Sequence, residues 1–242
     1  ATSKGGLRQM GFHYTFDWNP LWEHRGMLAS GFLMTIRLSV VSLACAALAG
    51  IAIGTCGALG PRSLRTLAIA WVEFVRNIPL LIHMYIWYMA LAFLDLSAFV
   101  CAVLALSTYS SSYVSEIVRA GITSLPRGQR QAAAASGLTS MQALRLVIYP
   151  QVFRAIAPSL ANVFSQLIKD SSLASVIAVA EITYQAGALD GLTFRTFEIY
   201  AVILVLYLAL VTVVNQALAW VLRRRVARTP GHGRLAGKEL SD

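Results

Sequence analysis

The stretch GQRQAAAASGLTSMQALRLVIYPQ, residues 128–151, decides how this chain is read. It carries Arg130 and Arg145, four consecutive alanines, a single glycine and a late proline, and long uncharged runs flank it on both sides. Just ahead of it, Pro126 can open a helix, since proline is tolerated in a first turn. Gln131 to Ser136 is strong helix-forming sequence. Gly137 can take the left-handed conformation that ends a helix. Thr139 and Gln142 fit a capping box that starts a second helix, and Pro150 marks where that helix must bend or stop. The stretch is therefore expected to be helix, sharp turn, helix: a compact element and not a slack linker.

The surroundings of this element are apolar. Of the 242 residues, 57% are hydrophobic and only 13% charged, against about 45–50% and about 25% in soluble domains. Uncharged runs extend over Leu38 to Pro61, Asn77 to Leu94, Leu96 to Ser115 and Ile199 to Leu222, and a fifth, from Ala155 to Ala180, is broken by Lys169 and Asp170. About 20 apolar residues cross a bilayer as a helix. Five spans are expected, near 28–54, 68–93, 97–117, 155–178 and 199–222. The fold class is an all-α membrane protein. Residues 1–27 form an N-terminal segment outside the spans and 28–222 a single transmembrane domain. That domain contains a loop at about 119–151, and 223–242 is a basic tail. Residues 1–27 carry no signal-peptide pattern. The chain begins at Ala1 without a methionine, and whether the natural N-terminus is longer stays open.

Lys and Arg set orientation. Arg62, Arg65, Arg119, Arg127, Arg130, Arg145, Arg154, Arg223, Arg224, Arg225, Arg228, Arg234 and Lys238 fall on one side, and Lys4, Arg8, Arg25 and Arg195 on the other. The bias places the N-terminus outside and the C-terminus in the cytoplasm. It also accounts for the net charge of +9 without nucleic acid. Cys45, Cys56 and Cys101 form no CxxC pair and lie in apolar runs, which speaks against a disulfide framework or a zinc site.

With its flanks, the loop resembles the EAA loop of membrane subunits of bacterial ABC importers, with Gln131, Ala132, Ala133, Gly137, Val147, Tyr149 and Pro150 at the matching positions. Gln131 stands where the family usually has glutamate, and Tyr149 where it has leucine. "VEFVRNIPLLI" at 72–82, "YVSEIVRAGITSLPRGQ" at 113–129 and "LIKDSSLASVIAVAEIT" at 167–183 resemble segments of the polar-amino-acid (histidine/glutamine permease) subfamily, in order and over nearly the whole chain. The resemblance implies the type I importer permease fold in a bacterial cytoplasmic (inner) membrane. It implies a second permease subunit, identical or paralogous. It also implies two ATPase subunits that hold ATP and magnesium, and an extracytoplasmic amino-acid-binding protein. This chain would carry no cofactor and no catalytic site. Gly128, Gln131, Ala132, Ala133, Gly137 and Pro150 would dock on the ATPase, with Arg127, Arg130 and Arg145 reaching acidic groups there. The same arginines could instead hold an amphipathic helix on lipid headgroups, but the alanines bury little apolar area.

Charges within the spans default to functional hypotheses. Glu73 with Arg76, and Glu116 with Arg119, share helix faces at i, i+3 and are read as structural ion pairs. Lys169 and Asp170 lie roughly 21 Å along the fourth span. Ser171 and Ser172 behind them can satisfy a locally opened helix. Lys169 either pairs with Asp170 or another carboxylate, or meets a substrate carboxylate. Arg37 near an end of the first span is read as snorkelling, His83 as a hydrogen-bonded core residue, and Pro79 as a kink in the second span. No phosphate loop is present: "GK" at 237–238 is preceded by His232 where the motif needs glycine. The alternative is an ATP-independent pore or membrane-interaction protein, which has no need of the helix–glycine–helix loop. Which amino acid is carried stays open.

Overall fold

The computed structural model describes residues 14–227, without side chains for residues 127, 218, 219 and 221–227. Residues 1–13 of the expected segment 1–27, the Arg127 side chain, the side chains of Arg223, Arg224 and Arg225, and residues 228–242 thus lie outside the described residues. All described regular structure is helical. The helices are α1 (Asn19–Glu23), α2 (Arg25–Leu59), α3 (Arg62–Arg76), α4 (Leu80–Ala90), α5 (Ala98–Thr123), α6 (Arg127–Ala135), α7 (Ser140–Ala143), α8 (Tyr149–Asp170), α9 (Ile182–Thr193) and α10 (Thr196–Ala227). Three helices, α2, α5 and the Thr196–Ala217 part of α10, are long and apolar enough to cross a bilayer. There are five spans if each of two bent pairs counts as one.

Those bent pairs revise two expected spans. The second is not one helix: α3 and α4 meet at 102°. Pro79 has no N–H to continue the ladder, and α3 stops at Arg76. The fourth begins earlier than expected. Pro150 neither ends nor sharply bends its helix. A π-helical turn over Leu144–Ile148 precedes it, and α8 runs on through Pro150 and Pro158 to Asp170. The register shift of a π turn accommodates the donor that proline lacks. Beyond Asp170 the helix tightens to 3₁₀ over Ser171–Ile177 and ends at Ala178 in the left-handed region (φ 61°). It then turns 51° into α9, a helix that hydrophobic runs alone do not mark.

The helices pack through three apolar clusters stacked along the molecule. One joins Leu21 and Leu28 to Ile182, Leu189, Ile199 and Ile203. The middle one centres on Leu38, Met84, Leu106 and Ile177. The third joins Val114, Val118 and Ile122 of α5 to Leu144, Ile148, Val152 and Ile156. Close approach of α2 to α5 depends on glycine. A Cβ added to Gly50 would lie 2.6 Å from Val114 Cβ, and one on Gly54 would lie 2.4 Å from the Ser115 carbonyl oxygen. This is the small-xxx-small spacing that lets membrane helices touch backbone to backbone. At the far end, Tyr14 donates to the buried Glu198 carboxylate, which also accepts from the Asp17 N–H at 2.9 Å. The Arg195 guanidinium donates to the Thr15 carbonyl at 2.7 Å, which fastens the N-terminal segment to the start of α10. The hydrogen bond to that carboxylate holds the Tyr14 phenol above its ordinary pKa.

Candidate functional site

The 126–151 element is built from local backbone bonds. Gly137 is left-handed at φ 76°. Its N–H donates to the Ala134 carbonyl at 3.0 Å, and the Leu138 N–H to Ala133 at 3.2 Å. These two bonds form the Schellman closure of a helix. Two residues on, Thr139 N–H donates to Gln142 Oε1 at 2.9 Å and Gln142 N–H to Thr139 Oγ1 at 3.3 Å, a complete capping box. The reversal is thus fixed without any partner. Ala133 turns inward and is 5% exposed. Gly128, Gln131, Ala132 and Ala135 are exposed, as are Arg130, Arg145 and Pro150. At i, i+3 and i+7, Gly128, Gln131 and Ala135 share one face of α6, and two large apolar side chains, Met141 and Leu146, also stand out from the second half.

This element is fastened to the spans at defined points. The Gln151 amide donates to Gln129 at 3.4 Å and to the Val147 carbonyl at 2.9 Å. Tyr149 Oη lies 2.9 Å from Thr55 Oγ1 of α2. The Thr55 hydroxyl already donates to the Ile51 carbonyl at 2.6 Å, so Tyr149 is the donor. The tyrosine found in place of the family's leucine therefore ties the element to the first span.

A second constellation lies where α4, α5 and α8 meet. Leu80, Tyr109, Tyr113, Gln166 and Asp170 help line a cavity of about 310 Å³. Tyr109 and Tyr113 share a hydrogen bond of 3.0 Å, and the Gln166 amide donates to Asp170 Oδ1 at 2.8 Å. Lys169 does not line this cavity; it is exposed. Neither does it pair with Asp170, whose carboxylate is held by Gln166. Consecutive residues of a helix point about 100° apart, so the two charges face different surroundings. Ser171 and Ser172 donate to the Ile168 and Lys169 carbonyls at 2.7 and 2.8 Å, which serves the backbone where α8 tightens.

The two expected ion pairs part company. Arg119 closes on Glu116 through two bonds, 2.6 and 3.0 Å. Glu73 and Arg76 make no ion pair: Arg76 sits 4.8 Å over the Tyr113 ring centroid. At the end of α3 the aromatic face competes with the carboxylate for the guanidinium. His83 is buried and its Nε2 lies 3.1 Å from the Val75 carbonyl, which can only accept, so Nε2 carries the proton. That bond bridges the α3–α4 break.

The structure also brings forward residues that sequence patterns did not single out. Glu181, fully buried, caps α9 by accepting from the Tyr184 N–H at 2.8 Å. It also accepts from the Tyr207 hydroxyl at 3.1 Å. The two tyrosines that line the Asp170 cavity from α5, Tyr109 and Tyr113, stand four apart, a signal the sequence did contain. Among the described residues, no group of His, Cys, Asp and Glu could hold a metal ion.

The chain is similar to known proteins over most of its length. Residues 46–228 match the family of binding-protein-dependent transport system inner membrane components. The chain is 36% identical over 192 residues to the probable glutamine ABC transporter permease protein GlnM of Bacillus subtilis, covering 78% of this chain and 89% of that one. It is 32% identical over 222 residues to the glutamate/aspartate import permease protein GltJ of Escherichia coli, covering 86% and 89%. Among solved structures, an amino acid ABC transporter crystallised with histidines superposes with a TM-score of 0.77 at 32% identity, covering 87% of this chain and all of that one. The inward-facing MetNI methionine ABC transporter shares the fold, with a TM-score of 0.74 at 20% identity.

Proposed function

The chain belongs to the family of binding-protein-dependent transport system inner membrane components, and on that premise we propose that it is the membrane-spanning subunit of an ATP-driven importer for a polar amino acid. It is a transport component and not itself an enzyme. The observation that carries the coupling role is the 126–151 element. Its turn is closed by its own backbone bonds, its small-residue face is exposed, and Tyr149 and the π turn join it to α2 and α8. A rigid element with a bare docking face passes a displacement to the helices it is fastened to. Closing of a partner under α6 would then shift α8 and the Asp170 cavity it lines, an alternating-access cycle biased from both sides of the membrane.

The assembly completes the reading. Two ATPase subunits hold ATP and magnesium, a second permease subunit, identical or paralogous, closes the pathway, and an amino-acid-binding protein delivers substrate from outside. The N-terminus lies outside and the C-terminus in the cytoplasm. Arg130 and Arg145, exposed and unpaired among the described residues, suit acidic groups on the ATPase. The Asp170 carboxylate suits the ammonium group that every amino acid carries, and Tyr109, Tyr113 and Gln166 offer further hydrogen bonds. The polar-amino-acid class rests on the relatives.

The test is reconstitution. The chain, co-expressed with its neighbouring ATPase and binding-protein genes, is placed in proteoliposomes, and uptake of labelled glutamine, glutamate, histidine and arginine is followed. Uptake is expected only with ATP inside and binding protein outside. Flux through the chain alone, without ATPase, would favour the pore.

A further inference from the structure

A second cavity, of about 210 Å³, lies between α2, α3 and α5, and its lining includes Gly57, Glu73, Arg76, Ser115, Glu116 and Arg119. Four charges meet in it, and only two are satisfied by each other. Glu116 and Arg119 form a closed bidentate pair. The Glu73 carboxylate has no hydrogen bond or ion pair among the described residues. An i, i+3 pair can close on a helix, as Glu116 and Arg119 demonstrate, so spacing does not keep Glu73 and Arg76 apart. Arg76 instead has its Cζ 4.8 Å over the Tyr113 ring centroid. A guanidinium held at a ring face still has N–H groups to offer, and these match a carboxylate. The cavity thus presents an open carboxylate acceptor and an open ammonium acceptor three residues apart on one helix.

Tyr113 ties this cavity to the first one. Tyr113 lines the Asp170 cavity, and its ring carries Arg76. Arg119 lies six residues further along α5, or about 9 Å. We propose that the Glu73–Arg76 cavity is a second binding site for a zwitterionic amino acid, with its ammonium on Glu73 and its carboxylate on the Arg76 guanidinium, reached from the Asp170 cavity past Tyr113. The site rests on the importer reading above, in which the C-terminal end of α5 faces the cytoplasm. There it holds the substrate on its way out, and a high internal concentration of the amino acid fills it and slows further import. Gly57 leaves the room for this: a Cβ there would press to 3.3 Å from Arg119 Cδ.

The test uses the nucleotide-free complex with its ATPase in lipid nanodiscs, and as probe whichever of labelled glutamine, glutamate, histidine or arginine the proteoliposomes take up. Wild type is expected to bind a second amino acid per permease chain. Glu73→Gln, at an exposed and unpaired position, should fold normally and weaken one site about tenfold or more, the loss of one charge-assisted contact. Asp170→Asn should weaken the other. Internal amino acid should slow uptake by wild type and not by Glu73→Gln. A single site that is lost in Asp170→Asn and unchanged in Glu73→Gln overturns the second site and leaves the importer intact. Absence of ATP-driven uptake of all four amino acids by wild type would bring down the importer reading, and the second site with it.

Discussion

At Gly137 and at Pro79 the chain breaks a helix and starts another, and the two breaks are held in different ways. Around Gly137 each strained or orphaned backbone group finds its partner within six residues: Ala133, Ala134, Thr139 and Gln142 supply the bonds. Around Pro79 the local backbone bonds are joined by a side chain from the next helix. The Val75 carbonyl keeps a 3.3 Å bond from Ile78 and takes a second, 3.1 Å, from the His83 ring. That ring packs edge-on against Tyr109, 5.8 Å between centroids, on the wall of the Asp170 cavity. The first break is a self-contained joint on the surface. The second is tied through His83 and Tyr109 to the wall of the Asp170 cavity.

The comparison can be broken most severely at Gly137. Gly137→Val puts a β-branched residue at φ 76°, where left-handed backbone costs about 1–2 kcal/mol even for ordinary residues. The joint should rearrange, with uptake falling at least tenfold while ATP hydrolysis persists, measured side by side in proteoliposomes. His83→Ala removes the buried donor and leaves the other joint untouched. A buried group left with fewer partners costs about 1–3 kcal/mol, so the complex should melt several degrees lower, with coupling in the surviving fraction preserved. His83→Gln, which can still donate, should recover part of the loss. Tyr149→Phe deletes only the hydroxyl that reaches Thr55. About 1 kcal/mol is at stake, and transported amino acid per ATP should drop a few-fold with little change in melting. Gln131→Ala should change transport least. The side chain is exposed and its amide offers only neutral hydrogen bonds, about half as strong as charged ones. A severe loss there would mean that docking depends on chemistry at that position and not on shape.

The same contrast explains what could be read in advance. The turn at Gly137, the capping box at Thr139 and the helix start after Pro126 depend on neighbours in sequence, so the residues announced them. The kink at Pro79 was announced too, but its 102° was not, because the angle is set by how α4 packs on α5. The sequence leaves open whether Lys169 pairs with Asp170 or with another carboxylate, or meets a substrate carboxylate. A rotation of one residue sends Asp170 into the cavity and Lys169 out, and only the packed neighbours of α8 fix that phase. The i, i+3 spacing of Glu73 and Arg76 predicts an ion pair that the structure does not form, for a like reason: the competing ring, Tyr113, is on another helix. Gly50 and Gly54 did carry a readable signal, the spacing of a close helix contact, which apolar counting passes over.

The most direct test of the account is a cysteine scan along α6, in chains with Cys45, Cys56 and Cys101 replaced, followed by crosslinking to the ATPase in the assembled complex. The exposed face predicts that Ala132→Cys and Ala135→Cys crosslink readily and that Ala133→Cys, which points into the protein, does not. Equal crosslinking at all three, or none at any of them, would contradict the claim that this element is where the ATPase takes hold.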